Sequence, residues 1–96
     1  MRYILMKGRH QHRDIDDLPA IFDGINTGYL FDFDYHKRII HDAFSKIHPG
    51  EDLHLYVTGL TPVLVSVLNY CRLLRISVTL YHYDASTDRY VRQSVV

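Results

Sequence analysis

The chain lacks most of the features that assign a small protein at sight. It has one cysteine, Cys71, in 96 residues, so no internal disulfide can form. That residue lies inside an apolar helical pattern, where a small buried hydrophobe in a reducing compartment is expected rather than a reactive thiol. Excess charge is also missing. Eleven basic residues balance eleven acidic ones, which argues against a dedicated duplex-DNA binder, because such domains carry a net basic footprint. No apolar run approaches the ~20 residues that span a bilayer, and "MRYILMKGRH" holds too short an apolar stretch for a signal peptide. Internal repeats, low-complexity tracts and linkers are absent. The expectation is one domain over residues 1–96, soluble and cytoplasmic, with no membrane partner.

What is present is an ordinary globular composition, 47% hydrophobic and 23% charged, unlike a disordered chain. A domain of this size buries only about 60–65% of its unfolded surface, and dimerisation is an easy way to bury more.

Hydrophobic periodicity divides the chain into elements. Residues 2–7 read as a buried strand ending at Gly8. Residues 9–28 read as loop with a helical turn near 17–23, and "YLFDFD" (29–34) as a short strand. From an N-cap at Asp34, residues Ile39, Ile40, Ala43, Phe44 and Ile47 share one face of an amphipathic helix, which Pro49-Gly50 ends. His36, His41 and His48 lie on or near that helix and are expected to be solvated. Residues 53–58 form a strand with Leu53, Leu55 and Val57 on one side and His54, Tyr56 and Thr58 on the other. A hydrogen-bonded, partly buried His54 is expected there. Gly59 breaks the strand, Thr61 can cap, and Pro62 suits the first helical position. The helix 62–75 is apolar on nearly every side, so one side should pack on the sheet and the other on a second subunit. Residues 76–84 and 89–96 read as a closing hairpin around "ASTD". Strands separated by helices predict an α/β fold with a mostly parallel central sheet, helices on its faces and a C-terminal β-hairpin.

In such a sheet the carboxyl ends of the parallel strands share one edge, where open α/β folds bind ligands. That edge would gather "GRHQHRD", "TGLTP" and the neighbourhood of "YHYD". In the first, Arg9 and Arg13 can each fork onto a phosphate, and His10 or His12 can move protons near neutral pH. The alternative is a solvated surface loop. "HQHRD" also has metal-ligand spacing, but the neighbouring arginines oppose a cation, so no metal and no cofactor are expected. In the second, Thr58, Gly59, Leu60 and Thr61 would let backbone and helix-end amides approach an anion, or would merely form a tight turn. Tyr81 and Tyr83 flank His82 and could stack on a base, although such tyrosines more often pack on the sheet.

Residues 53–93, with a strand ending in "TGLT", an apolar helix, then "LYHYD" followed by a tyrosine and a glutamine, resemble small accessory proteins encoded near type III CRISPR systems. These are Rossmann-like, related to the CARF sensor domains and to ring nucleases. The resemblance implies a CARF-like three-layer sandwich, a homodimer, and a cyclic oligoadenylate ligand bound across the two-fold. It also implies that the turn at Thr58, Gly59, Leu60 and Thr61 cradles phosphate. The amino-terminal half carries no part of the resemblance, so the roles of Arg9, His10, His12 and Arg13 rest on residue chemistry alone.

The expected function is therefore cyclic oligoadenylate binding in antiviral defence, with metal-independent ring opening to linear products bearing a 2′,3′-cyclic phosphate. His10 and His12 would be catalytic, and Arg9, Arg13, Thr58, Gly59, Leu60, Thr61, Tyr81 and His82 would bind the ligand. The alternatives are a non-catalytic sensor or sponge for the same ligand, and an interaction module docking through the apolar helix.

Overall fold

The structure, a computed structural model, describes residues 1–7, 15, 17–24, 27–45, 47 and 50–95. Its elements are β1 (Arg2–Met6), β2 (Ala20–Phe22), a 3-10 turn (Thr27–Tyr29), α1 (Phe33–Ala43), β3 (Asp52–Tyr56), α2 (Thr61–Leu73), β4 (Ser77–Asp84) and β5 (Arg89–Val95).

One sheet carries the strands in the order β2-β1-β3-β4-β5. β1 pairs in parallel with β2 on one side and β3 on the other, and β3 pairs in parallel with β4. β5 returns antiparallel along β4, from Val78↔Val95 to Asp84↔Arg89, which is the expected hairpin. β1 lies inside the sheet, so Ile4, Leu5 and Met6 are all buried. A run buried on both faces is what parallel strands require.

The connections β2–α1–β3 and β3–α2–β4 step across the sheet in the same direction. Right-handed crossovers then put both helices on one face. The core between the layers joins Leu5, Leu53, Leu55, Val78 and Leu80 of the sheet to Ile40, Phe44, Val63, Val67 and Cys71 of the helices. At roughly 1.5–3 kcal/mol for each large apolar side chain withdrawn from water, this interface is the main source of stability. The opposite face holds a smaller cluster, Ile4, Ile15 and Tyr56, with Leu18, Ala20, Tyr81 and Tyr90 against it. Ile15 stands in a 3-10 turn, and no α-helix lies on that face among the described residues. The expected three-layer sandwich is thus, over the described residues, a two-layer α/β arrangement. The β1–β2 connection is the one that would cross that face. Its described part turns back by Leu18 N–H to Ile15 O (3.1 Å) and joins the sheet by Ile4 N–H to Pro19 O (2.8 Å).

Three other expectations change. Residues 20–22 form a strand instead of a helical turn, because pairing with β1 outweighs a local signal only three residues long. Residues 29–34 form no strand: the Asp32 side chain accepts the Tyr35 N–H (3.1 Å), so Asp32 rather than Asp34 caps α1. His36 is not solvated but fully buried. Its Nδ1 lies 2.9 Å from Ser66 Oγ on α2 and its Nε2 lies 3.0 Å from the Tyr29 carbonyl oxygen. A carbonyl only accepts, so Nε2 carries a hydrogen. Phe22 and Phe33 meet the ring edge-on at 5.9 and 5.6 Å. This histidine ties both helices to the 3-10 turn.

At its far end α2 stops on Arg75, whose φ of 56° is left-handed, and the Ile76 N–H bonds the Cys71 carbonyl (2.9 Å) to close the helix. Among the described residues no helix is long and apolar enough to cross a membrane.

Candidate functional site

The three parallel strands β1, β3 and β4 open their carboxyl ends on one edge, as the alternation of strands and helices predicts. From β1 the chain moves outward to β2, whereas from β3 it moves the other way to β4. The connections therefore diverge between β1 and β3, and a crevice at such a divergence is where open α/β sheets seat ligands.

Thr58 stands at that divergence. It is buried, and its hydroxyl donates to the Met6 carbonyl (2.6 Å) while accepting the Met6 N–H (3.0 Å). Backbone pairing between β1 and β3 ends at Ile4↔Tyr56, and the Thr58 side chain extends it by one further step. Its one hydroxyl hydrogen is thereby used. Next comes Gly59, exposed, with φ 109°, a conformation that side chains rarely adopt.

The start of α2 differs from expectation. Thr61 is the first helical residue and does not cap; Leu60, with extended backbone (φ −102°, ψ 140°), holds the cap position without a side-chain bond. Pro62 has no N–H, and the Val63 and Leu64 N–H groups both reach the Leu60 carbonyl at 3.1 Å. The donors that the turn can offer an anion are then the amides of Gly59, Leu60 and Thr61 and the exposed Thr61 hydroxyl.

Beside this turn stands Lys7, exposed at the end of β1, with its N–H on the Phe22 carbonyl (2.9 Å). Arg9, His10, His12 and Arg13 follow it directly in the chain and lie outside the described residues.

Tyr81 and His82 are not brought together. Neighbours on a strand point to opposite faces. Tyr81 lies on the face away from the helices, stacked on Tyr56 with centroids 4.6 Å apart and planes 15° from parallel. His82 turns to the other face, its Nε2 2.7 Å from Gln93 Oε1. Beyond His82 the strand ends at Asp84, whose carboxylate accepts both the N–H and the hydroxyl of Ser86 (3.0 and 2.7 Å). Those bonds hold it below the usual aspartate range.

Two groupings were not anticipated as a unit. On the second sheet face His54 Nδ1 lies 2.9 Å from the Tyr81 hydroxyl, and the Arg2 guanidinium donates to the Tyr56 hydroxyl and lies over its ring (5.4 Å to the centroid). The bond to Tyr56 raises the Arg2 pKa further. The period-two pattern of residues 53–58 already put His54 and Tyr56 on one side; what it lacked was the strand order that sets Arg2 and Tyr81 beside them. Along the outer side of α1 runs a groove of about 790 Å³ between Asp32, Asp34, Lys37, Arg38, His41, Asp42 and Tyr70. Its alternating charges and the His41–Tyr70 contact (2.7 Å) belong to a solvated helix surface. Among the described residues no group of three His, Cys, Asp or Glu side chains could hold a metal ion.

Fold and edge together define a small α/β domain with a five-stranded, mostly parallel sheet, compatible with a Rossmann-like sandwich. No protein-family model, curated protein or solved structure matches the chain.

Proposed function

We propose that the protein binds a cyclic oligoadenylate at the carboxyl edge of its sheet and opens the ring without a metal, as the resemblance to type III CRISPR accessory proteins implies. One observation carries the reading. The turn at Thr58–Thr61 and the chain leaving Lys7 toward "RHQHR" emerge side by side at the point where the connections of β1 and β3 diverge.

In this reading the amides of Gly59, Leu60 and Thr61 hold one phosphate, and Thr58 sets the turn's position without touching the ligand. Arg9 and Arg13 fork onto the phosphodiester to be cleaved. A ribose 2′-hydroxyl attacks that phosphorus in line. One of His10 and His12 takes the hydroxyl proton, and the other gives a proton to the departing 5′-oxygen. The P–O5′ bond breaks as the 2′-O–P bond forms, leaving a 2′,3′-cyclic phosphate and a 5′-hydroxyl. Fixed positive charge favours the transition state because negative charge accumulates on the phosphoryl oxygens. A base lying on the second sheet face meets Tyr81, whereas His82 is reachable only from the other face.

A second reading, docking through the helix layer, draws on the exposure of Val65 (47%), Leu73 (75%) and Phe33 (59%). The same surface suits a second copy of the chain.

The test is incubation with cyclic tri-, tetra- and hexa-adenylate in strong chelator, with products separated by chromatography. Linear products from one ring support the nuclease. Intact rings with a ligand-induced rise in melting temperature favour a sensor or sponge. Intact rings without that rise remove the reading and leave the docking surface.

A further inference from the structure

The sheet face without an α-helix among the described residues carries a second arrangement of polar and aromatic side chains, which adjoins the carboxyl edge at Tyr81. Strand register sets Arg2 beside His54, His54 beside Thr79, and Thr79 beside Ser94, so one polar row crosses β1, β3, β4 and β5. In the next row on that face Ile4, Tyr56, Tyr81 and Arg92 are register partners. Arg2, Arg92 and Ser94 are exposed, and His54, Thr79 and Tyr81 are half-buried.

The two basic groups at the start of these rows are held in place. Tyr56 accepts from Arg2 and supports it against its ring, Tyr81 engages His54 Nδ1, and the two tyrosines stack on each other. Arg2 keeps further N–H groups for a ligand, and His54 presents Nε2. Tyr83 and Tyr90 extend the aromatic row, with ring contacts of 5.6 Å to each other and 5.0 Å from Tyr90 to Tyr56.

Charge on these rows has one sign. The described carboxylate nearest by alternation, Asp52, lies one step toward the amino edge, paired with Ser77. Asp88 accepts from the Tyr83 hydroxyl, Asp84 is engaged by Ser86, and Asp17 stands exposed on the segment that follows Ile15. From Arg2 on β1 to Arg92 on β5 is three strand spacings, about 14 Å, too far for one phosphate group to bridge.

From this we propose that the second sheet face binds single-stranded RNA, with Arg2 and His54 on one backbone phosphate and Arg92 on another. A single strand fits where a duplex does not. Its unstacked bases can lie against tyrosine rings, while its phosphates follow the separated arginines. A neutral chain is no obstacle, because the two rows carry Arg2 and Arg92 and no carboxylate.

Fluorescence anisotropy of a labelled short oligouridylate, titrated in chelator at several salt concentrations, tests this. Uridylate is chosen to remove adenine recognition at the carboxyl edge, and Arg9→Gln with Arg13→Gln reports any phosphate binding that remains there. Wild-type protein should bind the strand, and a duplex of equal length far less. Arg2→Gln with Arg92→Gln should weaken binding about tenfold and flatten the salt dependence by about 1.4 in log–log slope, roughly 0.7 for each lost phosphate contact. Arg92→Gln alone, an exposed change on an edge strand, should give half of that flattening and covers the case in which the double variant fails to fold. Cleavage of the cyclic ligand should stay at the wild-type rate in Arg92→Gln, so the two sites fail separately. Three results would each overturn the proposal: no strand binding by wild type at about 50 mM salt, undiminished binding by Arg92→Gln, or loss of binding in Arg9→Gln with Arg13→Gln alone.

Discussion

Thr58 at the end of β3 holds both backbone polar groups of Met6 on β1, accepting its N–H at 3.0 Å and donating to its carbonyl at 2.6 Å. Both residues are buried. Thr58→Val keeps the shape but leaves a buried donor and acceptor unsatisfied, which costs about 1–3 kcal/mol for each such group. Thr58→Ser keeps the hydroxyl and should cost far less. Chemical denaturation of the two variants checks this, and a Val variant as stable as Ser would mean that water takes over the bonds.

His36 and Ser66 join α1 to α2 inside the helix layer. The Ser66 hydroxyl has a second option, the Pro62 carbonyl 3.1 Å away, so its hydrogen serves either that oxygen or His36 Nδ1. His36→Phe fills the space but removes the ring's bonds to Ser66 and to the Tyr29 carbonyl, which keeps only the Asp32 N–H (3.1 Å). It should destabilise by about 1–3 kcal/mol for the two bonds together. Ser66→Ala alone should cost less. Because the side chains touch, the double variant should depart from additivity by about 0.5–3 kcal/mol. A double-mutant cycle from urea melts measures that departure, and strict additivity would remove the link.

These two contacts mark what could be read from the chain and what could not. The strands around Leu5, Leu55 and Leu80, the apolar helix after Pro62 and the final hairpin follow from periodicity, which is a local property. So does the shared carboxyl edge, because parallel strands joined by helices must all point one way. His36 was legible in part: it stands one turn before Ile40 and two before Ala43 and Phe44, on the apolar face of the helix. Its polar character suggests solvation instead, and its partner Ser66, thirty residues away, is not a local property. β2 escaped for a related reason, since three residues become a strand only because β1 lies next to them. At the site, the Gly59 turn was visible, and so was the alternation that parts Tyr81 from His82, whereas the use of the Thr58 hydroxyl needed strand order. The second sheet face carried no motif at all, because its row is drawn from four strands distant in sequence.

Cys71 is buried on α2, and burial pushes its thiol up to about 12 from an ordinary value near 9. Its folded-state pKa is raised, so the stability it contributes is fully present below the unfolded value and is lost as pH climbs from about 9 toward 12. Equilibrium unfolding across that window should show a decline that Cys71→Ala lessens. At pH 8 a thiol reagent should label the wild type only as fast as the protein opens. Rapid labelling of the folded protein would place the sulfur at the surface.

Gly59 tests whether the carboxyl-edge turn matters for more than folding. With φ at 109°, any Cβ is strained, and Gly59→Ala should cost about 1 kcal/mol or more in stability. If the turn only changes the chain's direction, a variant that still folds should bind cyclic oligoadenylate as tightly as wild type once compared well below its melting temperature. If the amides of Gly59, Leu60 and Thr61 hold a phosphate, the added methyl keeps the ligand from the backbone, and affinity should fall about tenfold for one lost charged hydrogen bond. Thr61→Ala separates the parts further. It removes an exposed hydroxyl without disturbing the helix start, because Leu60 rather than Thr61 occupies the cap position. Reduced affinity in both variants, with melting lowered only in Gly59→Ala, would assign the turn to the ligand; unchanged affinity in both would leave it a bend between β3 and α2.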